Sequence, residues 1–172
     1  MKNGNEHQRK AYEAIRELNI MKDMKAYSPV LCGTLPIGIN VKGSDLDIIL
    51  EVYDLKTCEE QMIHLYGDKK DFTIKRLSIR NREIIKANFF FKGFEFELFG
   101  QAQPVHKQYA YLHMIIEHEL MKRDTQLKSM IIDFKERGYK TEPAFCEVLG
   151  LAGDPYEELI AFGVREGLIH SN

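Results

Sequence analysis

The chain has no hydrophobic run of membrane-spanning length, no Cys-x-x-Cys pair, no repeat, no low-complexity stretch and no marked excess of either charge. Each absence excludes a class. A spanning helix needs about 20 consecutive apolar residues, so no membrane partner is expected. The cysteines number three, Cys32, Cys58 and Cys146. An odd, scattered set supports neither a disulfide framework nor a zinc site, and each is read as a small buried hydrophobe. Such usage fits a reducing compartment. The opening Met-Lys-Asn-Gly-Asn-Glu-His-Gln is polar throughout, so no signal peptide is expected and the expected location is cytoplasmic. A net charge of −2 argues against bulk nucleic-acid binding, which usually calls for a basic surface.

What is present is ordinary globular material: 172 residues, 44% hydrophobic and 29% charged, long enough to bury a core without staples. Residues 6–19 carry Ala11, Ile15 and Leu18 at helical spacing. Ser28-Pro29 breaks any helix, and Val30-Leu31-Cys32 begins a first strand. A loop over 33–44 leads to a strand over 45–52, then a helix capped by Thr57 and ended by Gly67-Asp68. Residues 72–79 read as a strand, and 83–91 with 94–99 as a hairpin across Lys92-Gly93. Beyond Pro104 the pattern turns helical: a long stretch broken near Asp124 and ended by Gly138, then two short helices opening at Thr141-Glu142-Pro143 and Asp154-Pro155. The expectation is an α+β fold, a small mixed sheet with flanking helices. It forms a single compact unit over 1–172, with an α/β core over 1–103 and a helical C-terminal part over 104–172.

The chemistry concentrates in Leu31-Cys32-Gly33-Thr34 and, a short loop later, Ser44-Asp45-Leu46-Asp47-Ile48-Ile49-Leu50. Asp45 and Asp47 stand at strand spacing, so both carboxylates share one face roughly 6–7 Å apart. The alternate residues Leu46, Ile48, Leu50 and Val52 are apolar and pack the other face. Carboxylates this close resist joint ionisation unless a cation lies between them. Mg²⁺ binds through a few carboxylates plus substrate phosphates. Gly33-Thr34 lets backbone amides and a hydroxyl approach a phosphate. The combination points to metal-dependent chemistry on a nucleoside triphosphate.

This pattern resembles the nucleotidyltransferase superfamily, which includes DNA polymerase beta, tRNA CCA-adding enzymes, aminoglycoside nucleotidyltransferases and small bacterial MNT proteins. The shared signature is an apolar residue, Gly, then Ser or Thr, followed by Ser-Asp-apolar-Asp-apolar, with a third carboxylate on a neighbouring strand. Phe94-Glu95-Phe96-Glu97-Leu98-Phe99-Gly100-Gln101 supplies that third element. Glu95 and Glu97 both lie between apolar residues, and if Phe94, Phe96 and Leu98 face the core, both share the side of Asp45 and Asp47. More narrowly, the chain is similar to the uncharacterised bacterial DUF4269 family. The matching blocks are residues 33–39, 44–48, Glu97-Leu98-Phe99-Gly100-Gln101 and Lys140-Thr141-Glu142-Pro143-Ala144-Phe145. Glu97 is favoured as the third acid because this resemblance centres on it.

The resemblance implies that Asp45, Asp47 and Glu97 hold Mg²⁺ or Mn²⁺ and carry catalysis, while Gly33, Thr34 and Ser44 hold the nucleotide. The reaction would transfer a nucleoside monophosphate from the triphosphate to an acceptor hydroxyl, the acceptor being unspecified. The rival is a module that keeps the fold without turnover, binding a nucleotide or a partner, such as an MNT-like antitoxin. All three carboxylates are present, which favours the enzyme.

Other constellations carry less. His113 and His118 flank Glu117, but a zinc protease helix needs its histidines four apart. These histidines are expected at the surface or as satisfied core groups. Lys42, Lys75, Arg76, Arg80, Arg82 and Lys86 make the middle of the chain locally basic; most are read as a solvated face, and one or two as able to reach triphosphate oxygens. Tyr109 and Tyr111 are read as helix core before base-stacking groups.

Overall fold

The computed structural model describes residues 1–170. Eight α-helices and five strands lie along these residues, and the strands form one mixed sheet in the order β1-β2-β5-β4-β3. The chain divides into two compact units. The first holds Met1–Pro36 and Gly43–Val105; the second holds Ile37–Lys42 and the chain from His106 onward.

The first unit opens with helix α1, Glu6–Leu18. Its start is closed by a capping box: Asn5 Oδ1 accepts from the Gln8 amide, and Gln8 Oε1 accepts from the Asn5 amide. It ends where Asn19 turns left-handed, with φ of 62°. Ala11, Ala14, Ile15 and Leu18 form the buried stripe. A four-residue helix α2, Ile20–Asp23, and a 3₁₀ turn, Lys25–Tyr27, lead into β1, Val30–Cys32. The segment after β1, expected to be loop, contains a short helix α3, Thr34–Ile37, anchored by the buried Leu35. Gln8 Nε2 donates to the Leu35 carbonyl at 2.7 Å and so ties α1 to this turn. Strand β2, Leu46–Glu51, pairs antiparallel with β1. Asp45 therefore immediately precedes the strand instead of opening it. Helix α4, Leu55–Tyr66, is capped by Asp54 and not by Thr57. The Asp54 carboxylate accepts from both the amide and the hydroxyl of Thr57, which sits inside the first turn.

Strands β3, Lys70–Ile79, β4, Arg82–Phe91, and β5, Phe94–Gln101, form a meander. The β4–β5 turn is Lys92-Gly93, with φ of 48° and 82°. The β3–β4 turn is Arg80-Asn81, with φ of 49° and 59°. Positive φ at both central residues is what a tight two-residue hairpin demands. Strand β5 alternates buried and half-buried along its whole length, so Phe94, Phe96 and Leu98 enter the core while Glu95, Glu97 and Phe99 share the other face. Strand β2 then docks parallel to β5. This single parallel pairing makes the sheet mixed. One face of it packs a continuous apolar cluster that includes Ile48, Leu50, Ala87, Phe89, Phe96 and Leu98.

The second unit is helical. It contains α5, Tyr109–Arg123, α6, Thr125–Glu136, α7, Thr141–Leu149, and α8, Pro155–Arg165. The expected break near Asp124 falls on that residue, whose carboxylate accepts from the Gln126 amide and caps α6. Asp154 caps α8 with Pro155 in the first turn. Helix α7 begins one residue earlier than its sequence signal: Lys140 is the cap, and Thr141 is already helical. The core of this unit joins Ile116, Ile131, Phe145 and Leu159, with Ile39 contributed by the 37–42 segment. Among the described residues, no helix is long and apolar enough to cross a membrane.

Candidate metal and nucleotide site

The site is built by register. In the parallel β2–β5 pair, Asp47 lies directly beside Glu97. In the antiparallel β1–β2 pair, Cys32 lies beside Asp47. Because paired residues share a face, the end of β1, Asp47 and Glu97 form one row across three strands. Asp45, two residues before Asp47, joins them from the strand's entry. Each of Asp45, Asp47 and Glu97 is half-buried and offers a carboxylate oxygen within 4.8 Å of the other two. At that spacing each pair repels by on the order of 1 kcal/mol in water and several times more where the effective dielectric is lower. The cluster therefore favours positive charge. Hard oxygen donors grouped in this way suit Mg²⁺, Mn²⁺ or Ca²⁺.

Gly33 turns the chain from β1 into α3 with φ of +77°. A Cβ built on it would stand 2.2 Å from Asp47 Oδ2. Only glycine lets the backbone lie this close to the carboxylate. The Gly-Thr turn and the acid strand, read in the sequence as two motifs, are thus in contact. Thr34 is the first residue of α3 and Ser44 directly precedes Asp45; both are half-buried. Cys32, buried beside this row, has its thiol pushed up to about 12 by burial first and by the Asp47 charge second. It is an unreactive neighbour of the site.

Glu97, and not Glu95, meets the two aspartates. Glu95 shares the face but lies two residues nearer the hairpin turn. Asn88 sits opposite Glu97 on β4 and donates its Nδ2 to Glu95 Oε1 at 3.1 Å and towards Glu97 Oε2 at 3.4 Å. Lys86 Nζ lies 2.5 Å from the same Glu97 oxygen. Asn88 was not singled out in the sequence, although a hairpin closed at Lys92-Gly93 fixes its place opposite Glu97. Of the other basic residues, Arg76 pairs with Glu59 of α4 on the opposite face. Lys75 and Arg82 stand exposed on the acid face by register, with no ion-pair partner among the described residues.

Residues 13–162 match the family model described as "Domain of unknown function (DUF4269)". The chain belongs to the DUF4269 family. None of the curated proteins compared matches this DUF4269 chain. Solved structures do. A structure of the Cid1 poly(U) polymerase with MgGTP bound is 19% identical, with a TM-score of 0.57, covering 77% of this chain and 42% of that one. A cytoplasmic RNA terminal U-transferase is 20% identical, with a TM-score of 0.54, covering 75% and 40%. The GLD-2/RNP-8 complex is 14% identical, with a TM-score of 0.62, covering 98% and 68%. The DUF4269 chain spans less than half the length of the Cid1 chain it matches. At these identities the likeness establishes the fold alone, which this chain shares with parts of these polymerases.

The remaining candidates of this DUF4269 chain lie in the helical unit. His113 is buried in α5, where its Nε2–H donates to the Tyr156 carbonyl at 2.8 Å and Nδ1 lies 3.4 Å from Glu142. His118 is exposed, so the two histidines do not converge. Tyr109 donates its hydroxyl to Glu157 at 2.7 Å and sets its ring edge-on to His113.

Proposed function

We propose that this DUF4269 protein is a metal-dependent nucleotidyltransferase, and that Asp45, Asp47 and Glu97 hold its divalent cation. The observation that carries the reading is the contact between the Gly33 backbone and Asp47 at the centre of the acid triad. It sets the Gly33-Thr34 turn beside a cluster of hard oxygen donors. A bound Mg²⁺ or Mn²⁺ would supply charge neutralisation on the triphosphate and orient it for in-line displacement. The chain's own residues do the rest. Gly33 leaves room for the Asp47 carboxylate, and the Thr34 hydroxyl and amide would donate to the triphosphate oxygens. Ser44, directly before Asp45, would help hold the nucleotide. Glu97, the acid nearest β4, accepts the acceptor hydroxyl's proton as oxygen attacks the α-phosphorus; the bond to pyrophosphate breaks and pyrophosphate leaves.

The nucleotidyltransferases of similar fold include an RNA terminal U-transferase and a poly(U) polymerase, so RNA ends are one acceptor class to test, beside small hydroxyl compounds. The experiment is incubation with each α-labelled nucleoside triphosphate and Mg²⁺ or Mn²⁺ against total RNA and against a small-molecule extract. Transferred label that disappears in the Asp45→Ala/Asp47→Ala variant is the expected result. Calorimetry adds a check independent of the acceptor: Mn²⁺ binds weakly alone and more tightly with ATP, and the double variant loses both. Equal metal binding by variant and parent would overturn the assignment. Nucleotide binding without transfer to any acceptor would favour the binding module instead.

A further inference from the structure

The transfer reading leaves one contact in the site without a purpose. Lys86 Nζ sits 2.5 Å from Glu97 Oε2, with the two side chains 28% and 20% exposed. The Asn88 amide lies 3.4 Å from that same oxygen. The carboxylate that completes the triad therefore already has a cation and a neutral donor on one oxygen. Lys86 is also under pressure from its other side. Lys75 stands directly across from it in the β3–β4 register, and like charges at opposed positions of one sheet face repel. That repulsion pushes the Lys86 ammonium away from β3, towards Glu97 on β5.

The acid triad needs positive charge in both of its states. With a divalent cation on the carboxylates, an ammonium on Glu97 becomes redundant and electrostatically opposed. The oxygens of a triphosphate held by that cation would, by contrast, offer the same ammonium negative charge. Lysine suits such an exchange, because its ammonium is a point charge on a flexible stem without the fixed fork of arginine.

We infer that Lys86 is a displaceable counter-ion: it holds Glu97 in the metal-free protein, yields that oxygen to the cation, and transfers its charge to the triphosphate. The inference rests on the triad being the metal site. It makes Lys86 a competitor of the metal and an ally of the nucleotide, two effects of opposite sign on one side chain.

The test measures Mn²⁺ alone, and then a non-hydrolysable ATP analogue at saturating Mn²⁺, on the parent, Lys86→Met and Lys86→Arg. Lys86→Met should bind Mn²⁺ alone about fivefold more tightly and the analogue about fivefold more weakly, the size expected of one half-buried charge pair. Lys86→Arg should bind the analogue like the parent. A purely structural lysine would weaken both when removed, and that outcome overturns the inference. So does Mn²⁺ affinity unchanged by Lys86→Met in a parent that binds Mn²⁺. A parent that binds no Mn²⁺ with or without nucleotide overturns the triad reading itself. Thermal melts give a second readout: Lys86→Met should melt lower than the parent without metal and recover in Mn²⁺, and Lys86→Gln replaces it if the methionine variant does not fold.

Discussion

At the scale of single residues, Gly33 carries the sharpest constraint. Any Cβ at that position meets the Asp47 carboxylate before it meets a ligand, and φ of +77° adds backbone strain of about 1 kcal/mol for a non-glycine residue. Gly33→Ala should therefore lose metal binding by more than tenfold while nucleotide contacts at Thr34 are untouched, as read by Mn²⁺ titration with circular dichroism as the folding control. Retention of full Mn²⁺ affinity would mean that Asp47 does not ligate. Thr34→Ala should weaken ATP by the value of one hydrogen bond to a charged group, about 1.5–3 kcal/mol, and Thr34→Ser should match the parent. Asp47→Asn tests repulsion directly. It removes one of three charges within 4.8 Å, so the melting temperature should hold or rise while metal–nucleotide binding disappears. A large drop in melting temperature would assign Asp47 a structural role.

At the scale of elements, the acid strand and the β4–β5 hairpin were legible because each announces itself locally. Asp45 to Val52 alternates acid and apolar except at Ile49, and Lys92-Gly93 offers the φ > 0 turn. The choice of Glu97 over Glu95 rested on resemblance, and its physical reason emerges only with the β2–β5 register, which sets Asp47 beside Glu97. No local pattern encodes a parallel pairing between strands distant in sequence. The same limit hid the contact of Gly33 with Asp47 and the clamp of Gln8 on the Leu35 carbonyl. The misread details lie at element ends. Thr57 looked like a cap because threonine caps well, but Asp54 three residues earlier offers two acceptor oxygens and takes the position. Helix α3 was missed because Pro36 and two flanking glycines read as loop, although proline fits the first turn of a short helix.

At the scale of the molecule, the helical unit adds a pH dependence remote in sequence from the acid triad. Glu117 is buried in α5, and burial, together with the Glu142 charge, raises its pKa well above 4.5, with Lys135 opposing. Below 4.5 it is protonated folded and unfolded and has no effect. As pH rises past 4.5 the unfolded chain sheds the proton first, so stability falls until the folded carboxyl also ionises. For Glu142 burial alone would raise the pKa, but the His113 hydrogen bond and charge outweigh it and lower the pKa, so its contribution is present above 4.5 and is lost only as pH falls through the lowered value. The two acids thus act in opposite windows. Glu117→Gln should flatten the decline of melting temperature above pH 5 and raise the midpoint at pH 8, by about 2–4 °C for each kcal/mol relieved. Parallel melting curves for variant and parent from pH 5 to 8 would show that Glu117 ionises in the fold without cost.

The β2–β5 pairing also sets a clock. Two thirds of the acid cluster lies on one side of the long β3–β4 excursion and the remaining acid on the other, and strand contacts between distant segments close late because loop entropy must be overcome first. During synthesis both aspartates are made before Glu97. The nascent chain therefore carries no assembled triad until β5 has emerged and slid in beside β2. On the proposed reading cation capture waits for the β2–β5 pairing, and a probe that sees only the triad reports the arrival of that pairing.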